Sequence, residues 1–107
     1  MHAHNVYFTL KDKSVRSVSD LLSDSRKYLA PIDGIVTFAC GVREQGCLRP
    51  VNDTDFDVSL HIVFTDKPAH DAYQTAELHE EYVSRNRANW AQVRVFDSQL
   101  ADDVGKL

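Results

Sequence analysis

Cationic side chains are few and scattered in this chain. Its 107 residues carry 12 Lys and Arg against 16 Asp and Glu, a formal charge of −4. A phosphate-binding face needs grouped Lys and Arg, and here only Arg85 and Arg87 crowd together, so nucleic acid is not an expected partner. No apolar run approaches the roughly 18 residues of a spanning helix, so no membrane partner is expected either. Met1-His2-Ala3-His4-Asn5 lacks a basic region followed by an apolar one, the pattern of a secretory leader. Cysteine is scarce: Cys40 and Cys47 are seven apart, in no metal-binding spacing, and Cys40 lies in an apolar run as a small buried hydrophobe would. Reduced thiols and a cytoplasmic location are the expectation. Internal repeats and low-complexity segments are missing as well.

What is present is the make-up of one soluble domain over residues 1–107. Hydrophobic residues at 43% and charged residues at 26% are ordinary for a globular protein. A chain of this length forms a single core and buries about two-thirds of its extended surface.

The hydrophobic pattern orders the elements. From His4 to Leu10 the chain alternates, with His4, Val6, Phe8 and Leu10 on one face and Asn5, Tyr7 and Thr9 on the other. This parity turns His4 toward the core, where it needs a hydrogen-bond partner or a wet cavity. Ser14 or Ser17 then caps a helix whose Val18, Leu21, Leu22, Tyr28 and Leu29 recur at helical spacing, ending by Ala30 before Pro31. Ile35 to Val42 reads as a second strand, and 43–55 as a long loop, able to cover a pocket mouth or simply mobile. The third strand runs from Phe56 to Phe64, its even residues on one face and Asp57, Ser59, His61 and Val63 on the other. A short helix follows, capped by Thr65 or Asp66 near Pro68; then a helical piece over 76–87, a strand from Trp90 to Asp97, and a polar tail over 98–107.

Strand, helix, strand, strand, helix, strand packs most simply as an α+β ferredoxin-like fold, a four-stranded antiparallel sheet with its helices on one face. The uncovered face carries Asn5, Tyr7, Thr9, Ser59, His61 and Val63, with Phe38 or Thr37 from the second strand. It is too mixed for a core and too apolar for water, so a homodimer through this open sheet face is expected.

His4-x-Val6-x-Phe8, the Gly34-Ile35…Phe38…Gly41 strand, Asp57-x-x-Leu60-x-x-x-Phe64, Tyr73 followed six residues on by His79, and Asp97 closing the last strand occur here in one order and spacing. Over about residues 3 to 98 the chain resembles the stress-responsive A/B barrel domain, or Dabb, family. The resemblance implies a dimeric α/β barrel built from two such sheets. Most such proteins have no assigned reaction. Some plant members are polyketide cyclases, in which the residues matching Tyr73 and His79 serve catalysis in a pocket between sheet and helices and the one matching His4 lies nearby. Where the family often has His-Pro between the two, this chain has Ala76 and Glu77, so no proline enforces a bend.

In one unbroken helix Tyr73 and His79 would point about 120° apart. They converge only if the chain breaks near Gln74-Thr75, with Thr75 capping the second piece. Convergence gives defined chemistry: neutral His79 takes a proton next to a carbonyl, Tyr73 donates to the developing enolate oxygen, and His4 orients His79 or the ligand. The plainer alternative is an internal Tyr–His hydrogen bond. The expected pocket lining is His4, Val6, Phe8, Tyr28, Leu60, Tyr73, His79 and Tyr82, with Trp90 as core or pocket wall. His4 and His79 lack an evident third ligand, and His2 and His70 are expected to be exposed, so no metal and no cofactor are assigned. Three functions fit: a dimer that binds a small apolar ligand, a cyclase or lyase using Tyr73 and His79, and a structural or protective dimer whose pocket its own side chains fill.

Overall fold

The computed structural model describes residues 1–101. Its elements are β1 (His2–Leu10), α1 (Val15–Asp24), β2 (Ile35–Val42), β3 (Val58–Phe64), α2 (Lys67–Thr75), α3 (Glu77–Asn86) and β4 (Trp90–Gln99). All pairings are antiparallel, in the order β2-β3-β1-β4, which is the ferredoxin-like arrangement. β1 is therefore a central strand, and its inward residues fix the register on both sides. Val6 faces Leu60 of β3 and Val95 of β4, while His4 faces Ile62 and Asp97.

The core forms where the inward faces of β1 and β3 meet the helices. Val6, Phe8, Leu10, Val58, Leu60, Ile62 and Phe64 are buried there with Leu21, Leu29, Tyr73 and Tyr82. Ser14 caps α1, its hydroxyl accepting the Ser17 N–H at 3.2 Å. After Asp24 the helix widens into a π-helical turn over Ser25–Leu29. There the buried Ser25 hydroxyl donates to the Leu21 carbonyl at 2.7 Å and accepts from the Tyr82 hydroxyl at 2.8 Å, tying this turn to α3.

Several expected boundaries move. β3 starts at Val58 rather than Phe56, because Asp57 turns its carboxylate back to the end of β1. Phe56 thereby leaves the core side and packs edge-on against Tyr7, ring centroids 5.0 Å apart. In β2 a register shift between Ile35 and Thr37 places Ile35, Phe38 and Cys40 toward the core, leaving Thr37 for the open face. β4 continues past Asp97, so Ser98 and Gln99, expected to begin a tail, pair with Ala3 and His2. Leu100 follows, its N–H donating to the Met1 carbonyl at 2.9 Å, and residues 102–107 of the expected tail lie outside the described residues. The 43–55 loop does not cover the cavity near Tyr73; it reaches over the open sheet face, where Asp53 pairs with Arg94 and the Asp55 carbonyl accepts from Thr9 at 2.8 Å. Among the described residues no helix is long and apolar enough to cross a membrane.

Two positions make this fold testable. Gly34 has φ +90°, and a Cβ there would stand 2.7 Å from the Ala69 side chain. Gly34→Ala should destabilise the protein by more than about 1 kcal/mol in urea unfolding, through both left-handed backbone strain and the clash. Asp57 accepts the Leu10 N–H at 2.8 Å and the Lys13 ammonium at 2.7 Å. Burial alone would raise its carboxyl, but these two contacts outweigh burial and hold it below the usual carboxylate range. Its folded pKa therefore lies below its unfolded one, so its stabilisation is full above the unfolded value and fades as pH falls through the folded one. Asp57→Asn should cost about 1–2 kcal/mol at pH 7, and the deficit should shrink as unfolding is repeated below about pH 4.

Candidate functional site: a cavity between β1, β4 and the helices

The site depends on a break in the helical segment after β3. Asp66 caps α2 by accepting the Ala69 N–H at 2.9 Å, with Pro68 in the first turn. The helix stops at Ala76, whose φ of −63° and ψ of 143° are extended. No proline is needed. Nor does Thr75 cap the next piece: its hydroxyl donates back to the Ala72 carbonyl at 3.3 Å, and α3 starts with no side-chain cap. Glu77 and Glu80 in the first turn of α3 give its N-terminus the favoured charge instead.

This break brings Tyr73 and His79 together. Their rings meet edge to face, centroids 4.8 Å apart and planes at 62°, and no hydrogen bond joins them. His4 approaches Tyr73 from β1 with centroids 5.7 Å apart. All three line a cavity of about 430 Å³ with Val6, Phe8, Leu60 and Tyr82. Tyr28, expected in the same lining, stands elsewhere. It lies half-buried on the outer side of the π-helical turn, with Arg85 and Lys27 each 5.2 Å from its ring. Other hollows of about 400 and 450 Å³ occur on the surface, but none of them is lined by a histidine.

One wall was not expected from the sequence. β4 is an edge strand and adds Val93, Val95 and Asp97 beside Trp90, the residue expected as core or pocket wall, while α2 and α3 add His70, Gln74 and Val83. Val93 and Val95 remain 40% and 49% exposed, so the cavity is open along β4. The Trp90 indole N–H is buried there with no hydrogen-bond partner.

The electrostatics follow from burial. Loss of water pushes the Tyr73 phenol well above its ordinary range, which keeps it a hydrogen-bond donor. Burial, with a smaller effect of nearby His4, lowers His79, so its imidazole is neutral at pH 7 and can accept a proton. His4 is also lowered, chiefly by burial, although its contact with Asp97 opposes that. For Asp97, burial raises the carboxyl, but hydrogen bonds from His4 and His2 prevail and hold it ionised.

His2 and His70, expected to be exposed, are buried at 7% and 9% exposure. β1 begins two residues earlier than its alternation suggested, and the period of two then puts His2 on the same inward face as His4. α2 turns His70 onto the same spot, its ring stacked 4.3 Å from that of His2. Asp97 Oδ1 lies 2.9 Å from His2 Nε2, 2.7 Å from His4 Nδ1 and 3.5 Å from His70 Nε2. His2, His4, His70 and Asp97 thus each present one potential ligand atom, all within 4.8 Å of one another. The sequence signal for this group was the His2-Ala3-His4 spacing, which on a strand means two imidazoles side by side.

A model of the stress responsive A/B barrel domain matches residues 3–100. The chain belongs to this Dabb family. Among solved structures it is similar to a Dabb protein with a ferredoxin-like fold from Mesorhizobium loti, at 24% identity and a TM-score of 0.78, over 94% of this chain and 97% of that one. It is also similar to a dimeric ferredoxin-like protein of unknown function from Thermobifida fusca, at 19% identity and a TM-score of 0.76, over 92% and 90%. A hydroxynitrile lyase from Passiflora edulis aligns at 11% identity with a TM-score of 0.75, over 95% and 94%. Compared by sequence with curated proteins, the chain has no significant match. At these identities the structural likenesses support the Dabb fold and carry no activity with them.

Proposed function

We propose that this Dabb protein is a homodimer that binds a small, mainly apolar ligand carrying an oxygen acceptor in the cavity between its sheet and helices. The observation that carries the reading is the cavity of about 430 Å³ itself, apolar along Val6, Phe8, Leu60 and Trp90 and polar at the end holding Tyr73 and His79. The Tyr73 hydroxyl makes no hydrogen bond among the described residues and lines the cavity, so it is free to donate to a ligand oxygen; the Trp90 indole N–H also lacks a partner but is closed off from solvent. An unfilled cavity weighs against a purely structural role.

Trp90 is the chain's single tryptophan, so intrinsic fluorescence reports on the cavity directly. Titration with aromatic or polyketide-like carbonyl compounds should shift and quench that fluorescence saturably. Tyr73→Phe should weaken a carbonyl ligand by about tenfold, the loss of one hydrogen bond from a buried donor, and leave an alkyl analogue unaffected. If no compound saturates the signal, and gently purified protein yields no retained small molecule by mass spectrometry, the binding reading fails.

The meeting of Tyr73 and His79 favours one further reading, an enzyme of the cyclase or lyase type. His79 would take the proton next to a carbonyl and Tyr73 would donate to the enolate oxygen that forms, with His4 as a supporting residue. For any substrate found, His79→Ala and Tyr73→Phe should each lower turnover by about 10²-fold or more while circular dichroism stays native. Unchanged turnover in both folded variants would leave a binding protein.

The dimer rests on the open sheet face. Tyr7, Phe56 and Phe96 form an aromatic strip there, ring centroids 5.0 and 5.9 Å from Tyr7, beside His61. Pairing two such faces covers apolar surface that one chain leaves wet. Sedimentation at micromolar concentration should give a dimer, and Phe96→Asp should give a folded monomer; a native protein that sediments as a monomer refutes this pairing. Both cysteines are free thiols, which suits the reducing cytoplasm.

A further inference from the structure

We propose that His2, His4, His70 and Asp97 form a binding site for a divalent first-row transition cation of the zinc class, at the end of the cavity beyond Tyr73. The proposal does not depend on the ligand reading above.

Spacing is the first argument. Ligands about 2.0–2.2 Å from a tetrahedral zinc stand about 3.3 Å from one another. Around Asp97 Oδ1 the three ring nitrogens lie at 2.9, 2.7 and 3.5 Å, which brackets that value before any adjustment to an ion. The donors come from three separate elements: two successive inward positions of β1, the inner side of α2, and the position on β4 opposite His4. Ligands from three separate elements meet at one point because the fold places them there, and the fold keeps them there.

Hydrogen-bond accounting is the second argument. A carboxylate only accepts, so His4 Nδ1 and His2 Nε2 each donate to Asp97 Oδ1 and between them occupy its two lone pairs. His70 is oriented the other way. Its Nδ1 lies 3.3 Å from Asp71 Oδ1 and so carries the proton, while its Nε2 accepts from the Gln74 amide at 3.1 Å. With its one lone pair turned to Gln74 and no proton on it, His70 Nε2 makes no hydrogen bond to the filled Asp97 oxygen 3.5 Å away. A cation here would take the His70 Nε2 lone pair in place of the Gln74 amide, together with an Asp97 oxygen. Neutral His2 and His4 would move their ring protons to Nδ1 and Nε2 respectively, which frees His2 Nε2 and His4 Nδ1 as ligands. Asp71 on the far nitrogen of His70 is the carboxylate–histidine support that metal-bound imidazoles usually have.

Chemistry sets the class of ion. Three imidazoles and one carboxylate suit zinc, cobalt, nickel or copper, whereas magnesium and calcium favour all-oxygen shells. His2, His4 and His70 are all buried, and His4, His70 and Asp97 also line the cavity, so an ion here would adjoin whatever occupies it.

The test is a zinc titration of tag-free, chelator-stripped protein, followed by calorimetry and by cobalt substitution with visible absorption. One equivalent per chain, with a dissociation constant of about micromolar or tighter and a raised melting temperature, is expected; magnesium should produce neither. Asp97→Asn and His70→Gln should each weaken zinc by at least about tenfold, Asp71→Asn should weaken it at unchanged stoichiometry, and His61→Gln on the opposite face should change nothing. Because a cluster variant can fail to fold, X-ray absorption of the zinc-loaded native protein provides an independent readout, with several imidazoles and at least one oxygen expected in the first shell. Absence of binding at 100 times the micromolar range, roughly 0.1 mM zinc, overturns the proposal. So does binding that survives both Asp97→Asn and His70→Gln, or a shell without multiple imidazoles.

Discussion

The period of two along β1 is the constraint on which the rest of the molecule depends. β1 is hydrogen-bonded on both edges, so slipping it by one residue would send every inward side chain to the wet face and break two registers at once. The inward set is graded along the strand. Leu10, Phe8 and Val6 complete the packed core, His4 stands at the cavity, and His2 closes the far end. Core, cavity and histidine group are thus successive stretches of one strand face, and the strand cannot keep one while losing another.

Chemistry concentrates at the His2–His4 end because β4 is an edge strand. Over β2 and β3 the inward face is covered by α1, the π-helical turn and α2, and polar groups are squeezed out. Along β4 that cover stops, which leaves Val93 and Val95 half-exposed and Asp97 partly wet. Asp97 is only partly covered and is held ionised by hydrogen bonds from His4 and His2, while the imidazoles that face it are buried. A cavity with an apolar body and a charged end results from this incomplete cover alone.

Much of this was legible in the sequence. Alternation in 4–10 and 56–64, the Ser14 cap and the halt before Pro31 are local signals, and each element formed near its expected place. The pairing of Tyr73 with His79 was legible as a condition, since six residues of continuous helix forbid it and a break permits it. What could not be read was non-local. Phe56 is in phase with the core, yet the side chain of Asp57 turns the chain away. His2 and His70 look like exposed residues near a terminus and on a polar helix, and only strand pairing and helix placement bury them. Asp97 was visible as the close of a strand, but its role depends on the β1–β4 register, which puts it opposite His4.

The joint at Ala76 has a consequence for how this segment can vary. A single extended residue ends α2 and begins α3, and the Ala76 carbonyl already accepts the Glu80 N–H of the next turn. Adding or removing one residue there would rotate every side chain of α3 by about 100° about its axis. His79 would leave Tyr73, and Tyr82 would lose Ser25 in the same step. The joint needs no proline, since Ala76-Glu77 forms it here; its length is what holds His79 and Tyr82 in place. The distance between these two aromatic side chains along the chain is therefore a mechanical dimension of the protein, comparable to the length of a lever.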